Sequence, residues 1–188
     1  MVKIITAIFL CTCAYVPAIA NAADSGNGKT LIIYYSLSGR TRAVAERLQA
    51  KTGADLHEIQ TVKTYPSSYP GVYDEPKREL EQNDLPSLKN SPPDMASYDL
   101  ILVGAPVWWY TVPTPLMKFL QTADFAGKRV ASFCTYDSTL GQYHPHFVHQ
   151  AKNANVQEGI SLSYPHRMPE KELNDRLDAW LNIVRGNQ

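Results

Sequence analysis

Short apolar runs recur along this chain, each closed by polar, turn-rich residues, and most are followed by apolar positions at helical spacing. Leu31 to Tyr35 is a partly β-branched run bounded by polar residues, which predicts a buried strand. Behind it Val44, Ala45 and Leu48 recur at helical spacing, and Gly53 is placed to end that helix. Ala54 to Val62 alternates in part through Leu56, Ile59 and Val62 and predicts a second strand. Tyr98 to Pro106 holds the strongest run, apolar for several consecutive positions after Asp99, as suits a central strand covered on both faces. Pro113 to Leu120 predicts a helix with Pro in its first turn and Leu116, Phe119 and Leu120 on one face. Val130 to Cys134 predicts a fourth strand, His146 to Ala154 a helix and Val156 to Leu162 a fifth strand. Pro169 to Val184 predicts a closing helix with Leu173, Leu177, Trp180, Leu181 and Val184 on one face.

Alternation of strands and helices within one domain predicts an α/β fold, a parallel sheet with helices on both faces. Ligands in such sheets sit beyond the carboxyl ends of the strands. Three loops fall at that edge: Ser36 to Thr41, Pro106 to Thr114 and Thr135 to Gly141. Between the second and third predicted strands lies YPSSYPGVYDEPKRELEQNDLP, rich in proline and tyrosine, with a helical middle at Glu75 to Leu80. Long connections of ordered composition are often functional, and Tyr65, Tyr69 and Tyr73 are candidates for the rim of a substrate site.

The amino terminus changes the domain count. Lys3, the apolar segment Ile4 to Val16 and the small residues of Ala20-Asn21-Ala22 have the layout of a secretory signal peptide. Residues 1–22 are therefore expected to be a signal peptide, 23–29 a flexible leader and 30–188 the folded domain, exported to the periplasm or secreted. Cleavage would remove Cys11 and Cys13, leaving Cys134 without an intrachain disulfide partner and ruling out a Cys-rich metal site. Losing Lys3 turns the balance of 18 basic and 18 acidic residues into a net charge of −1, which argues against nucleic acid as a target, since phosphate-backbone binding needs a basic excess. No other stretch approaches the ~20 apolar residues of a membrane span.

The first loop places Ser36, Ser38, Gly39 and Thr41 between a strand and a helix N-terminus, where free N–H groups and the helix dipole favour an anion. The same hydroxyls would equally serve as caps of an ordinary helix. In the second loop Trp108, Trp109 and Tyr110 stand together between Pro106 and Pro113. They form either a wall for a flat conjugated ligand or a lid on the core at the sheet edge. A phosphate cradle beside an aromatic wall describes a mononucleotide with a planar ring, which flavin mononucleotide satisfies. Neither GxxxxGK[ST] nor GxGxxG is present, so the loop suits a monophosphate better than a pyrophosphate.

The segments YYSLSGRT (34–41), YPSSY (65–69), GAPVWW (104–109) and GKRVASFCT (127–135), in this order, resemble the flavodoxin-like superfamily and its short-chain flavodoxin branch. The resemblance implies a three-layer sandwich around a five-stranded parallel sheet of order 2-1-3-4-5, with non-covalent FMN at the switch point. It implies that Ser36, Leu37, Ser38, Gly39, Arg40 and Thr41 hold the phosphate. Pro106, Val107, Trp108 and Trp109 would line the isoalloxazine, and Thr135 with Tyr136 would close its other side. The implied function is electron transfer or a small flavin-dependent reductase activity outside the cytoplasm, with a redox partner protein or a quinone-like molecule as partner. The alternative is a binding or scaffold module that keeps the fold without productive flavin binding.

Three residues depart from the pattern of that branch. Tyr136 and Asp137 stand where glycines are usual, so the third loop either stacks on a ring or occludes the site. Arg40 replaces a small or amide residue, and it either contacts a phosphate or projects to solvent. The near-neutral charge also differs from that of strongly acidic carrier flavodoxins. His144, His146 and His149 supply too few convergent ligands for a metal, and Cys134 at the end of an apolar strand reads as a small buried hydrophobe.

Overall fold

A computed structural model describes residues 28–66 and 71–186. The expected signal peptide, most of the leader and Tyr69 lie outside the described residues. Strand β1 (Thr30–Tyr34) runs into helix α1 (Arg40–Thr52), followed by β2 (Asp55–Glu58), α2 (Gly71–Gln82), β3 (Leu100–Pro106) and α3 (Thr114–Thr122). The chain continues through β4 (Arg129–Tyr136), α4 (Tyr143–Gln150), β5 (Asn155–Val156), β6 (Ile160–Ser163), a 3-10 turn (Pro165–Arg167) and α5 (Glu170–Arg185). All strand pairs are parallel, in the order β2-β1-β3-β4-β5, with β6 also on β4. This is the order implied by the resemblance.

Strand periodicity divides the core into two layers. Leu31, Ile33, Ile101 and Val103 face one cluster with Leu116 and Phe119 of α3 and Tyr143 and Phe147 of α4. Ile32, Leu100 and Leu102 face the other with Val44 and Leu48 of α1 and Leu177 and Trp180 of α5. Burial on both faces explains why β1 and β3 read as unbroken apolar runs rather than alternating ones. Gly104 has a local cause: a Cβ there would stand 1.9 Å from Phe133 Cζ, so only glycine lets that ring lie against β3.

Four expected boundaries move. The second strand stops at Glu58: Ile59 still donates to the Tyr34 carbonyl, but Thr61 then turns to an antiparallel bridge with Leu88, leaving Val62 exposed. Helix α2 extends beyond Glu75–Leu80 in both directions, with Pro76 in the first part of the helix. Helix α4 begins at Tyr143 and ends at Gln150, because the fully buried Tyr143 belongs to the core and Asn153 turns left-handed after the helix. The fifth strand position is split into β5 and β6. Gln157 N–H still donates to the Val130 carbonyl, and Glu158 and Gly159 then leave the ladder where the His144 ring lies against the sheet; a Cβ at Gly159 would meet His144 Nδ1 at 2.4 Å.

Candidate functional site

The carboxyl edge of the sheet carries the three loops anticipated from the sequence, and the first resolves its two readings. Gly39, at φ 86, stands at the N-cap position of α1 and has no side chain to cap it, and the first turn carries no acidic residue. The loop hydroxyls are therefore not used as caps, while first-turn N–H groups have no intrahelical acceptor. Thr41 Oγ1 meets Thr135 Oγ1 at 2.8 Å, tying the first loop to the third. Ser36 Oγ is buried without a hydrogen-bond partner. An orphaned hydroxyl beside an uncapped helix start suits an anion that would complete both.

The second loop folds back on itself at its aromatic tip. Trp108 and Thr111 exchange two backbone hydrogen bonds of 3.2 and 2.9 Å, and between them Trp109 and Tyr110 sit at φ 48 and 64. Two consecutive left-handed residues make a tight hairpin turn normally filled by Asn and Gly, so aromatics here carry backbone strain of the kind that collects at functional sites. Trp108 serves both roles weighed from the sequence. One side packs edge-on against Tyr35 and Tyr65, at centroid distances of 5.4 and 5.1 Å, and the residue also lines the cavity below. Trp109 is 39% exposed and donates Nε1–H to the Tyr73 carbonyl at 3.0 Å, while Lys77 lies over its ring.

Behind Trp108 stands a buried polar network. Glu79 of α2 is fully buried and accepts hydrogen bonds from Tyr65 Oη at 2.9 Å and Thr114 Oγ1 at 2.5 Å, and pairs with Lys63. Burial, with the neighbouring carboxylate, pushes the Tyr65 phenol far above its usual range. Lys63 also binds Glu75, whose carboxyl is held down at about 2 by Arg78 and Lys63. The network joins α2, the strand-exit segment and α3 beneath the aromatic wall.

In the third loop, Val107 N–H donates to the Thr135 carbonyl, and Gln142 N–H to that of Tyr110. Gly141 lies so close to the second loop that a Cβ would come within 2.3 Å of the Tyr110 carbonyl. Tyr136 is half-buried and lines the cavity. Arg40 Nη1 reaches Asp137 Oδ2 at 2.5 Å, so two departures from the resemblance are partners, and Arg40 does not project freely into solvent.

The resulting cavity measures about 300 Å³, at the lower end of the range for small-molecule sites. Leu37, Ser38, Arg40 and Thr41, Pro106 to Trp109, and Thr135 with Tyr136 line it together. Ser36 lines instead a second hollow of about 350 Å³ on the β2 side, with Arg42 and Glu58, and Gly39 contributes backbone geometry rather than a wall. Tyr73, proposed for a substrate rim, does line the cavity; Tyr65 supports the wall from behind. Ser138, Thr139 and Pro165 complete the lining without a motif of their own. Loop continuity beyond Tyr136 could have indicated the first two, but Pro165 arrives from the end of β6 by tertiary folding alone.

The histidines do other work. His144 lies between Ser132 Oγ and Ser161 Oγ, at 2.8 and 2.7 Å, and burial lowers its pKa. His146 Nδ1 bonds Thr111 Oγ1 at 2.6 Å. Among the described residues no group of three or more His, Cys, Asp or Glu could hold a metal ion. Cys134 is buried, and desolvation pushes its thiol up to about 12, far from the reactive range.

Comparison with known proteins gives the same architecture a family context. The profile of the flavodoxin family matches residues 29–183. A flavoprotein of Lactobacillus acidophilus NCFM, crystallised in complex with FMN, is 29% identical with a TM-score of 0.67, covering 82% of this chain and 99% of its own. A flavoprotein candidate from Bacteroides eggerthii DSM 20697 is 26% identical with a TM-score of 0.71, covering 84% and 98%. Oxidised flavodoxin 2 of Bacillus cereus, at 19% identity and a TM-score of 0.51, covers 86% and 100% and shares the fold. No curated protein matches the chain at a significant level.

Proposed function

The chain belongs to the flavodoxin family, and on that premise we propose that it holds FMN non-covalently in this cavity and passes electrons outside the cytoplasm. The observation that carries the proposal is the start of α1, without a side-chain cap, opening on a cavity lined by Ser38, Thr41, Trp108, Trp109 and Tyr136. The Lactobacillus relative with bound FMN supports it. The amides from Gly39 to Thr41 and the hydroxyl of Ser38 would receive the phosphate. The tryptophans and Tyr136 would flank the isoalloxazine and exclude water from it. Bound there, FMN supplies the redox chemistry, while the protein supplies orientation and electrostatics.

The partner is a redox protein or a quinone-like small molecule meeting the exposed edge at Tyr73 and Trp109. Export rests on Lys3, the apolar segment to Val16 and Ala20-Asn21-Ala22. Among the described residues no helix is long and apolar enough to cross a membrane. The test is to purify residues 23–188, add FMN, and record the flavin absorbance band and fluorescence. A shifted band with quenched emission is expected. Absence of binding at micromolar FMN would sink the proposal in favour of a scaffold role. Cell fractionation with N-terminal sequencing checks export, which a cytoplasmic chain retaining Lys3 would refute.

A further inference from the structure

The charge balance of the cavity is unusual for an anion site. Arg40 is the one cation among the residues described as lining it, and Asp137 is the one anion. Each is the other's partner, at 2.5 Å, from opposite loops across the same opening. Nearby Arg42 is engaged with Glu58 on the β2 side and does not line the cavity. A phosphate arriving at the start of α1 therefore meets backbone amides and hydroxyls, but no net positive side-chain charge. It also meets a carboxylate that repels it.

We propose that Asp137 tempers the preference of this cavity for a phosphorylated over an unphosphorylated flavin, by occupying Arg40 until a phosphate displaces it. The inference rests on the FMN reading above and adds a specificity-determining pair to it. The pair suits such an exchange energetically. Its side chains are 41% and 48% exposed, so its own strength is small, as for surface ion pairs generally. A phosphate carries more charge than a carboxylate and presents more acceptor oxygens to a guanidinium. It can thus replace Asp137 as the partner of Arg40, and Asp137 then turns to solvent. The exchange concerns only the phosphate end of the ligand. A ring flanked by Trp108, Trp109 and Tyr136 would take no part in it.

The test compares FMN with riboflavin, which carries the same ring without the phosphate, by titrating the quenching of flavin fluorescence on the folded chain. Asp137→Asn is expected to tighten FMN by about 3- to 10-fold, the effect of removing one carboxylate beside a phosphate at a solvated site. Riboflavin affinity stays within twofold. Arg40→Gln is expected to weaken FMN by a similar factor and leave riboflavin unchanged, and in that background Asp137→Asn gives a smaller gain. Circular dichroism checks that both surface variants keep the fold. An unchanged or weakened FMN affinity in Asp137→Asn overturns the exchange, as does an equal gain for riboflavin, which would mean that the loop simply opens. Those results leave the FMN reading standing provided the unaltered chain binds FMN; if it binds neither flavin, that reading and this one fall together.

Discussion

Replacing Glu79 by Gln perturbs the buried network that backs the aromatic wall without changing side-chain size. Glu79 is fully buried and receives two hydroxyl donors, Tyr65 at 2.9 Å and Thr114 at 2.5 Å, together with the Lys63 ammonium. A hydrogen bond to a charged acceptor contributes about 1.5–3 kcal/mol. Both hydroxyls converge on Oε2 while Lys63 meets Oε1, so Gln can keep the hydroxyl bonds on its amide oxygen without their charge assistance but turns its NH2 donor towards the Lys63 ammonium, losing that contact. Lys63 retains Glu75, so the full penalty of about 3–5 kcal/mol for a stranded buried charge does not apply. The expected loss is about 2–4 kcal/mol, or roughly 5–15 °C in Tm for a domain of this size. Urea unfolding followed by far-UV circular dichroism measures it, with Glu75→Gln as the control. Glu75 is 33% exposed, and its pairs should contribute no more than about 1 kcal/mol. Tryptophan emission should shift in the Glu79 variant, because Tyr65 packs on Trp108. A change under about 0.5 kcal/mol would refute the view that this carboxylate holds α2 to α3.

Trp108→Ala should weaken FMN binding by the ~1–3 kcal/mol typical of lost stacking on an aromatic, and also lower stability through lost contacts with Tyr35 and Tyr65; unchanged affinity would assign Trp108 to the core alone. Tyr110→Gly should be neutral or raise stability by up to about 1 kcal/mol, since it relieves φ 64 at a residue 58% exposed; a loss in urea midpoint would show that the ring anchors the turn. Gly104→Ala should destabilise by at least about 1–3 kcal/mol, because the new Cβ meets the Phe133 ring; a wild-type melt would contradict the packing. Burial holds His144 and His57 below the ordinary imidazole value, so below pH of about 6.5 the unfolded chain takes up protons that the folded chain refuses. Stability should be full above that pH and fall as pH drops towards the depressed folded values. His144→Gln should reduce the fall measured between neutral and mildly acidic urea titrations; an identical pH slope would refute it.

Much of the architecture was legible because it depends on local periodicity. The unbroken apolar runs of β1 and β3 imply two covered faces, and the spacing of Val44 with Leu48 and of Leu177 with Leu181 marks the faces of α1 and α5. Motif order then brought the same three loops to one edge, and ten of the twelve named residues line one cavity there. Boundaries were less legible where a distant group sets them. The break between β5 and β6 follows from the His144 ring against Gly159, and the early start of α4 from the burial of Tyr143.

The amino-acid sequence by itself determined the parallel α/β class, the sheet order through its family motifs, and the placing of hydroxyls and tryptophans at the carboxyl edge. Only the tertiary structure decided how those groups are used. It left the start of α1 uncapped, with Ser36 unpartnered, gave Trp108 two faces of contact, and joined Arg40 to Asp137 over a separation of 97 residues. The physical reason is range. Hydrophobic pattern and turn chemistry act over a few residues, whereas the pairing of an exposed charge depends on which loops the folded sheet brings face to face.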